Sequence, residues 1–215
     1  MKFSVIIPSH NAARTLPACL AALQNQTLPR SEYEIIVVDD ASTDETAVIA
    51  QKAGVAVLTH SQKKGAGAAR NTAVRVAQGE IICFTDADCV PIPAWIELIT
   101  APLLADPEII AAKGAYATHQ KEIVARFVQL EYEDKYDRLR TQSRIDFVDT
   151  HSAAFRREVL LANDGFDEKI HFAEDRELAY RLAARGYQMV FQPEAVVAHW
   201  HTATWRGYFR KKFFI

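Results

Sequence analysis

Across the first ninety positions, short unbroken apolar runs alternate with stretches in which apolar residues return every third or fourth place. The runs Lys2 to Pro8, Glu34 to Asp39, Val55 to His60 and Glu80 to Thr85 are rich in Val and Ile, the pattern of short buried strands. The stretches between them have helical spacing, so the order is βαβαβαβ and the expected sheet is parallel. In the first helix Thr15 suits the N-cap and Pro17 the first turn, while Leu16, Cys19, Leu20 and Leu23 line one face. Thr43 is placed to cap the second helix, which Gly54 ends, and Gly79 to end the third. Further on, the segment from Gly114 to Thr150 predicts an amphipathic excursion with Phe127, Leu130 and Tyr136 turned inward. Val196 to His201 alternates as a strand does, which puts His199 and His201 on one face.

The polar residues gather where the runs end. Open parallel sheets bind ligands beyond the carboxyl ends of their strands, and Pro8-Ser9-His10-Asn11, Asp39-Asp40 and Asp86-Ala87-Asp88 would all lie there. Asp39-Asp40, with Asp44 in the following turn, reads either as a polar strand end with a helix cap or as a site that accepts a base N–H. Beside Pro8 and Asn11 it points to a nucleotide. Two carboxylates one residue apart, as in Asp86 and Asp88, repel unless a cation lies between them, which suits Mg²⁺ or Mn²⁺ held with a substrate's phosphates.

Gly65-Ala-Gly67-Ala-Ala-Arg70-Asn71 opens a helix with small residues and an Arg, a pattern that favours an anion. As a dinucleotide fingerprint it is weak, because Arg70 replaces the third small residue and the loop follows strand three. Glu174-Asp175 opens another helix, where acids complement the helix dipole and where one carboxylate can also act as a general base. The His199 and His201 pair reads as structural or as metal-binding.

The chain has 215 residues, 49% of them hydrophobic, enough for one sizeable core, and no linker divides it. A formal net charge of −2 gives no reason to expect nucleic-acid binding. Three cysteines without a CxxC favour reduced core thiols and a cytoplasmic setting, and argue against zinc. A strand beginning at Lys2 leaves no room for a signal peptide, and no run is long enough to span a bilayer. The last eleven residues, WRGYFRKKFFI, are basic and aromatic, a composition suited either to the inner face of a membrane or to a terminal helix packed on the domain.

In this order, SVIIPSHN, IIVVDDASTDET, KGAGAARN, GEIICFTDAD, NDGFDE and AEDRELAYRLAARGY resemble the family 2 glycosyltransferases from Phe3 to about His201. The resemblance implies a GT-A-type, Rossmann-like α/β sandwich with a mainly parallel central sheet flanked by helices. It implies one catalytic domain over residues 1–204, with 1–90 the nucleotide-binding half and 91–204 the acceptor and catalytic half, followed by the tail 205–215. The implied reaction is inverting transfer of a sugar from a UDP- or GDP-sugar to a hydroxyl of a carbohydrate or lipid-linked acceptor. By the same resemblance Asp40 contacts the base with Pro8 and Asn11, Arg70 the diphosphate, and Asp86 the ribose or a metal-bound water. Asp88 holds the metal, with His199 as a further ligand, and Asp175 is the catalytic base with Glu174 beside it. His10 stands where Tyr is common and Asp164 where Gly is usual. The QxxRW signature of processive synthases is absent, which favours single-sugar transfer over a processive polysaccharide synthase. The remaining rival is a nucleotide- or dinucleotide-using enzyme on a similar sheet.

Overall fold

The computed structural model describes residues 1–213; Phe214 and Ile215 of the tail, and the side chain of Lys211, lie outside the described residues. The expected βαβαβαβ unit is present, with strand ends within a residue or so of the apolar runs. It comprises β1 (Phe3–Ser9), α1 (Leu16–Gln24), β2 (Tyr33–Asp39), α2 (Thr46–Lys52), β3 (Ala56–Thr59), α3 (Ala66–Val76) and β4 (Ile81–Thr85). There follow β5 (Cys89–Pro91), α4 (Trp95–Ala105), β6 (Ile109–Ala117), α5 (Ile123–Arg140), β7 (Ser152–Arg156), α6 (Arg157–Ala162), α7 (Glu174–Ala184), β8 (Gln188–His199) and α8 (Trp205–Phe213). One sheet holds all eight strands in the order β3-β2-β1-β4-β7-β6-β8-β5. The first four are mutually parallel; β7 and β5 run against their neighbours.

Burial explains the unbroken runs. β1, β2 and β4 lie inside the sheet with helices on both faces, so nearly every position along them is buried. β3 departs from the expected buried strand. It is the edge, paired only with β2, and Ala56 and Thr59 are exposed. On α1, Leu16, Cys19, Leu20 and Leu23 face the core as their spacing predicts, and all three cysteines are buried and free.

Three local expectations are corrected. Helix α2 starts at Thr46, not after Thr43, because Asp44 Oδ1 accepts the Thr46 N–H at 3.0 Å while Thr43 gives its N–H to Asn11 Oδ1. Helix α3 ends at Val76, before Gly79; a Cβ at Gly79 would come within 2.5 Å of the Phe3 and Ser4 backbone, so this glycine serves close approach to β1. On α5 only Tyr136 of the three expected core residues is buried. Phe127 and Leu130, 41% and 55% exposed, lie off the inward face formed by Val124, Ala125, Gln129, Tyr136 and Leu139. The first part of that segment belongs to β6, and β8 begins at Gln188, well before the alternation at Val196.

The second half of the sheet is held by buried polar contacts. Lys113 on β6 is fully buried and bonds Asp149 Oδ2 at 2.7 Å. The Trp95 indole donates to Ser152 Oγ at 2.9 Å, and that hydroxyl donates to the Ala195 carbonyl at 3.0 Å. Gly114 sits at a register shift between β6 and β8, where a Cβ would lie 2.1 Å from Ser152 Oγ.

Candidate active site

The carboxyl ends of β1, β2 and β4 open on one cleft of about 460 Å³, lined among others by Pro8, His10, Asn11, Asp40, Arg70, Asp86 and Asp88. Six of the nine residues expected at the site therefore meet there. The other three join from outside the cleft: Glu174 through Arg70, His199 through Asp88, and Asp175 from the tip of α7.

Asp40 is buried. Its Oδ1 accepts the Lys64 N–H at 2.9 Å and pairs with His60 Nδ1 at 2.7 Å, and its Oδ2 accepts the Gly65 N–H at 2.8 Å. Burial alone would raise its pKa, but the His60 ring and the two amides outweigh that and hold the carboxyl below its ordinary range. Oδ2 keeps a lone pair for one more donor. His10 Nδ1 lies 2.8 Å from the Asp40 carbonyl, and Asn11, at a φ of 52°, binds Thr43 across the cleft floor. Asp44 is spent on structure: besides Thr46 it takes the Ala13 N–H at 3.0 Å.

Arg70 is the hub. Its guanidinium is buried and donates to Asp86 Oδ1 at 2.9 Å and to Glu174 Oε1 at 2.6 Å, tying the end of β4 to the start of α7. The small residues of GAGAARN serve that junction. A Cβ at Gly67 would crowd Glu174 Cγ and Phe166 Cβ, each at 3.3 Å, so Gly67 admits the α7 tip and the GFDE loop. Next to Arg70, the Asn71 amide accepts the Phe166 N–H at 2.9 Å and donates to the Phe166 carbonyl at 2.8 Å, clamping that loop. Asp175 on the first turn of α7 accepts the Thr150 N–H at 3.3 Å and the Arg176 N–H at 2.8 Å.

The Asp88 side chain is 46% exposed, with His199 Nε2 3.7 Å away. One ligand atom each from Asp88, Cys89 and His199 lie within 4.8 Å of one another. Burial, with Asp86 and Asp88 nearby, pushes the Cys89 thiol well above its ordinary pKa, and sulfur is a soft donor that suits hard Mg²⁺ or Mn²⁺ poorly. Carboxylate and imidazole remain, a donor set that fits Mn²⁺ or Mg²⁺ completed by a substrate's phosphates.

Sequence reasoning missed His60, Asn71 and His151. The His151 Nε2 lies 3.5 Å from Asp86 Oδ2, its ring 5.2 Å from that of His199. Burial raises the Asp86 pKa, but the His151 ring and the Arg70 guanidinium outweigh it, and the net shift is downward. Position beside β4 is the only signal for His151, and it appears only once β7 is paired antiparallel with β4.

Comparison with known proteins places these features. The model of glycosyl transferase family 2 matches residues 4–162. Glycosyltransferase AglE of Haloferax volcanii is 41% identical over 99 residues, covering 44% of this chain and 33% of that protein. A probable glycosyltransferase of Bacillus subtilis, YdaM, is 28% identical over 98% of this chain and 53% of its own. The mannosyltransferase PcManGT from Pyrobaculum calidifontis, solved with GDP-Man and Mn²⁺, superimposes with a TM-score of 0.76 at 28% identity, covering 96% of this chain and 58% of that one. The fold is thus of the GT-A type, and the chain spans between about a third and three fifths of the length of these relatives.

Proposed function

Because this chain belongs to glycosyl transferase family 2, we propose that it moves one sugar from a UDP- or GDP-sugar to a hydroxyl of a carbohydrate or lipid-linked acceptor, with inversion and with Mg²⁺ or Mn²⁺. The observation that carries this reading is the double ion pair of Arg70, which holds the acids at the end of β4 and the α7 helix of Asp175 on one edge. In this reading residues 1–90 bind the donor and 91–204 bind the acceptor. The relative solved with GDP-Man and Mn²⁺ supports a nucleotide-sugar donor.

Pro8, Asn11 and Asp40 Oδ2 face the nucleoside, and Asp86, steered by Arg70 and His151, meets the ribose or a metal-bound water. Arg70 is committed to two carboxylates, so it acts on the diphosphate mainly by charge and by placing Asp86. Asp88 and His199 would hold the cation, which would supply positive charge toward the leaving diphosphate. Asp175 takes the acceptor's proton as its oxygen bonds the anomeric carbon and the carbon–phosphate oxygen bond breaks, its electron pair leaving with the diphosphate. No protein nucleophile is needed for this displacement.

Thermal shift with UDP, GDP and NAD, each with and without Mn²⁺, tests this reading. A nucleoside diphosphate should stabilise the protein in a Mn²⁺-dependent way that Asp88→Asn abolishes. His199→Ala should raise the Mn²⁺ needed for half-maximal effect by at least about tenfold, since even the outer partners of a metal site cost that much. Stabilisation by NAD instead would favour the dinucleotide-enzyme reading.

The tail adds a location. Helix α8 leans on α5 through Phe127, whose ring meets those of Trp205 and Tyr208 at steep angles, and through Glu131, bonded by Tyr208 and Lys212. Trp205, Phe209 and Phe213 form a stacked, exposed row, with Phe213 77% exposed. Basic and aromatic residues together suit the inner leaflet of the cell membrane. Among the described residues no helix is long and apolar enough to cross a membrane. Binding to anionic liposomes by the whole chain, but not by a chain ending at Thr204, is the expected result; equal binding would sink the location.

A further inference from the structure

Three cations converge on the ring of Phe147 beside the tip of α7. Lys135 Nζ stands 3.7 Å from its centroid, the Arg176 guanidinium 5.4 Å and Lys113 Nζ 5.9 Å. The ring is buried, and its face attracts nearby cations. Lys113 is neutralised by Asp149 at 2.7 Å. The other two are not: among the described residues neither Lys135 nor the Arg176 side chain has an ion pair or hydrogen bond, although Lys135 is half-buried and Arg176 is exposed.

This lack is specific. The acids of α5 are occupied elsewhere: Glu131 by Tyr208 and Lys212, Glu133 by Gln129, Asp134 by Arg138 and Asp137 by Arg140. Asp175 and Asp146 act on Lys135 only through space. Burial and the neighbouring Lys113 and Arg176 charges push the Lys135 pKa down to about 8, the mark of an ammonium held near like charge without a bonded anion. A folded chain that holds two cations together against their repulsion, next to an acid at a reaction centre, is complementary to a dianionic group delivered from outside.

We propose that Lys135 and Arg176 form a subsite for a phosphate group on the acceptor, beside Phe147, so that a hydroxyl of the same molecule reaches Asp175. This deepens the glycosyltransfer reading and rests on it only for the role of Asp175. The acceptor class is then a phosphorylated one, its phosphate carried by a soluble or polymeric phosphoester or by a lipid headgroup.

Calorimetric titration of the full chain with inorganic phosphate and with glycerol phosphate tests the subsite. Wild type should bind both, and Lys135→Gln combined with Arg176→Gln should weaken binding tenfold or more while unfolding as cooperatively as wild type. Lys135→Arg should restore most of the affinity, and Asp88→Asn should leave it unchanged, which separates this subsite from the donor diphosphate site. Undetectable binding by wild type, or equal binding by the paired variant, overturns the proposal. The source of the phosphate is read from vesicles of phosphatidylcholine with and without phosphatidic acid. A loss of vesicle binding in the paired variant that soluble glycerol phosphate does not reproduce by competition assigns a lipid phosphate; competition assigns a soluble one. If Asp175→Asn keeps full turnover while phosphate binding follows Lys135 and Arg176, the base assignment fails and the subsite stands.

Discussion

The two halves of the sheet are built by different means. The parallel group β3-β2-β1-β4 is an apolar core whose ends carry polar loops already bonded to one another: Asp40 to His60, Lys64 and Gly65, and Asn11 to Thr43. The group β7-β6-β8-β5 runs in mixed directions around buried polar links, Lys113 to Asp149 and Trp95 through Ser152 to Ala195. At its rim it leaves cations and aromatic rings open. In the proposed function the pre-bonded end takes the donor, and the end with unspent charge takes the acceptor.

The comparison breaks most visibly if chemistry and donor binding are not separable. Asp175→Asn should lower kcat by about 10²–10⁴-fold, the range for a positioned acid or base, with donor affinity unchanged. Equal losses in kcat and donor affinity, measured by steady-state kinetics and donor titration, would make Asp175 part of the donor end. The polar core of the second half is expected to be the more fragile to single changes. Lys113→Met leaves Asp149 buried without its cation and should cost about 3–5 kcal/mol in urea unfolding. Replacing both partners with apolar residues should recover much of that loss, because the burial of a lone charge is what destabilises.

The same division decides what was legible from the sequence. β1, β2 and β4 are buried on both faces and follow one another by short helical crossovers, so their apolar runs mark them within a residue or so. Asp39, Asp40, Asp86 and Asp88 were legible because they follow such runs, and Glu174 and Asp175 because they open a helix. The roles of Gly67, Asn71 and His151 were not, since each depends on a partner about sixty-five or more residues away: Gly67 on Glu174, Asn71 on Phe166, and His151 on a strand paired antiparallel in an otherwise parallel group. Helix α5 misled for a related reason. Its outer apolar residues, Phe127 among them, look like core until α8 is seen to cover part of that face.

A pH series sharpens the prewired end. The folded-state pKa of Asp40 is depressed, so its contribution to stability is present above the unfolded value, near 3.9, and is lost as pH falls through the folded one. Wild type should therefore lose part of its stability below about pH 4, and Asp40→Asn should remove that part of the acid dependence while lowering stability at neutral pH. Unchanged acid limbs in urea unfolding at several pH values would show that the His60, Lys64 and Gly65 bonds do not act as a unit.

The smallest expected effect lies where the halves meet. Asp164 has a φ of 60° and is exposed, just before Gly165 at 62°, and the pair turns the chain from α6 into the loop that Asn71 clamps. A non-glycine residue in the left-handed region is strained by about 1–2 kcal/mol in general, and aspartate eases part of that by local hydrogen bonding. Glycine removes the strain but gives the unfolded chain more freedom, so Asp164→Gly should stabilise by no more than about 1 kcal/mol. Gly165→Ala is the opposing arm: a Cβ there would lie 2.3 Å from Asn71 Oδ1 and should destabilise well beyond the gain at 164. If Asp164→Gly destabilises instead, the Asp164 side chain contributes a bond that outweighs its strained backbone, and the turn is not held by the Asn71 clamp alone.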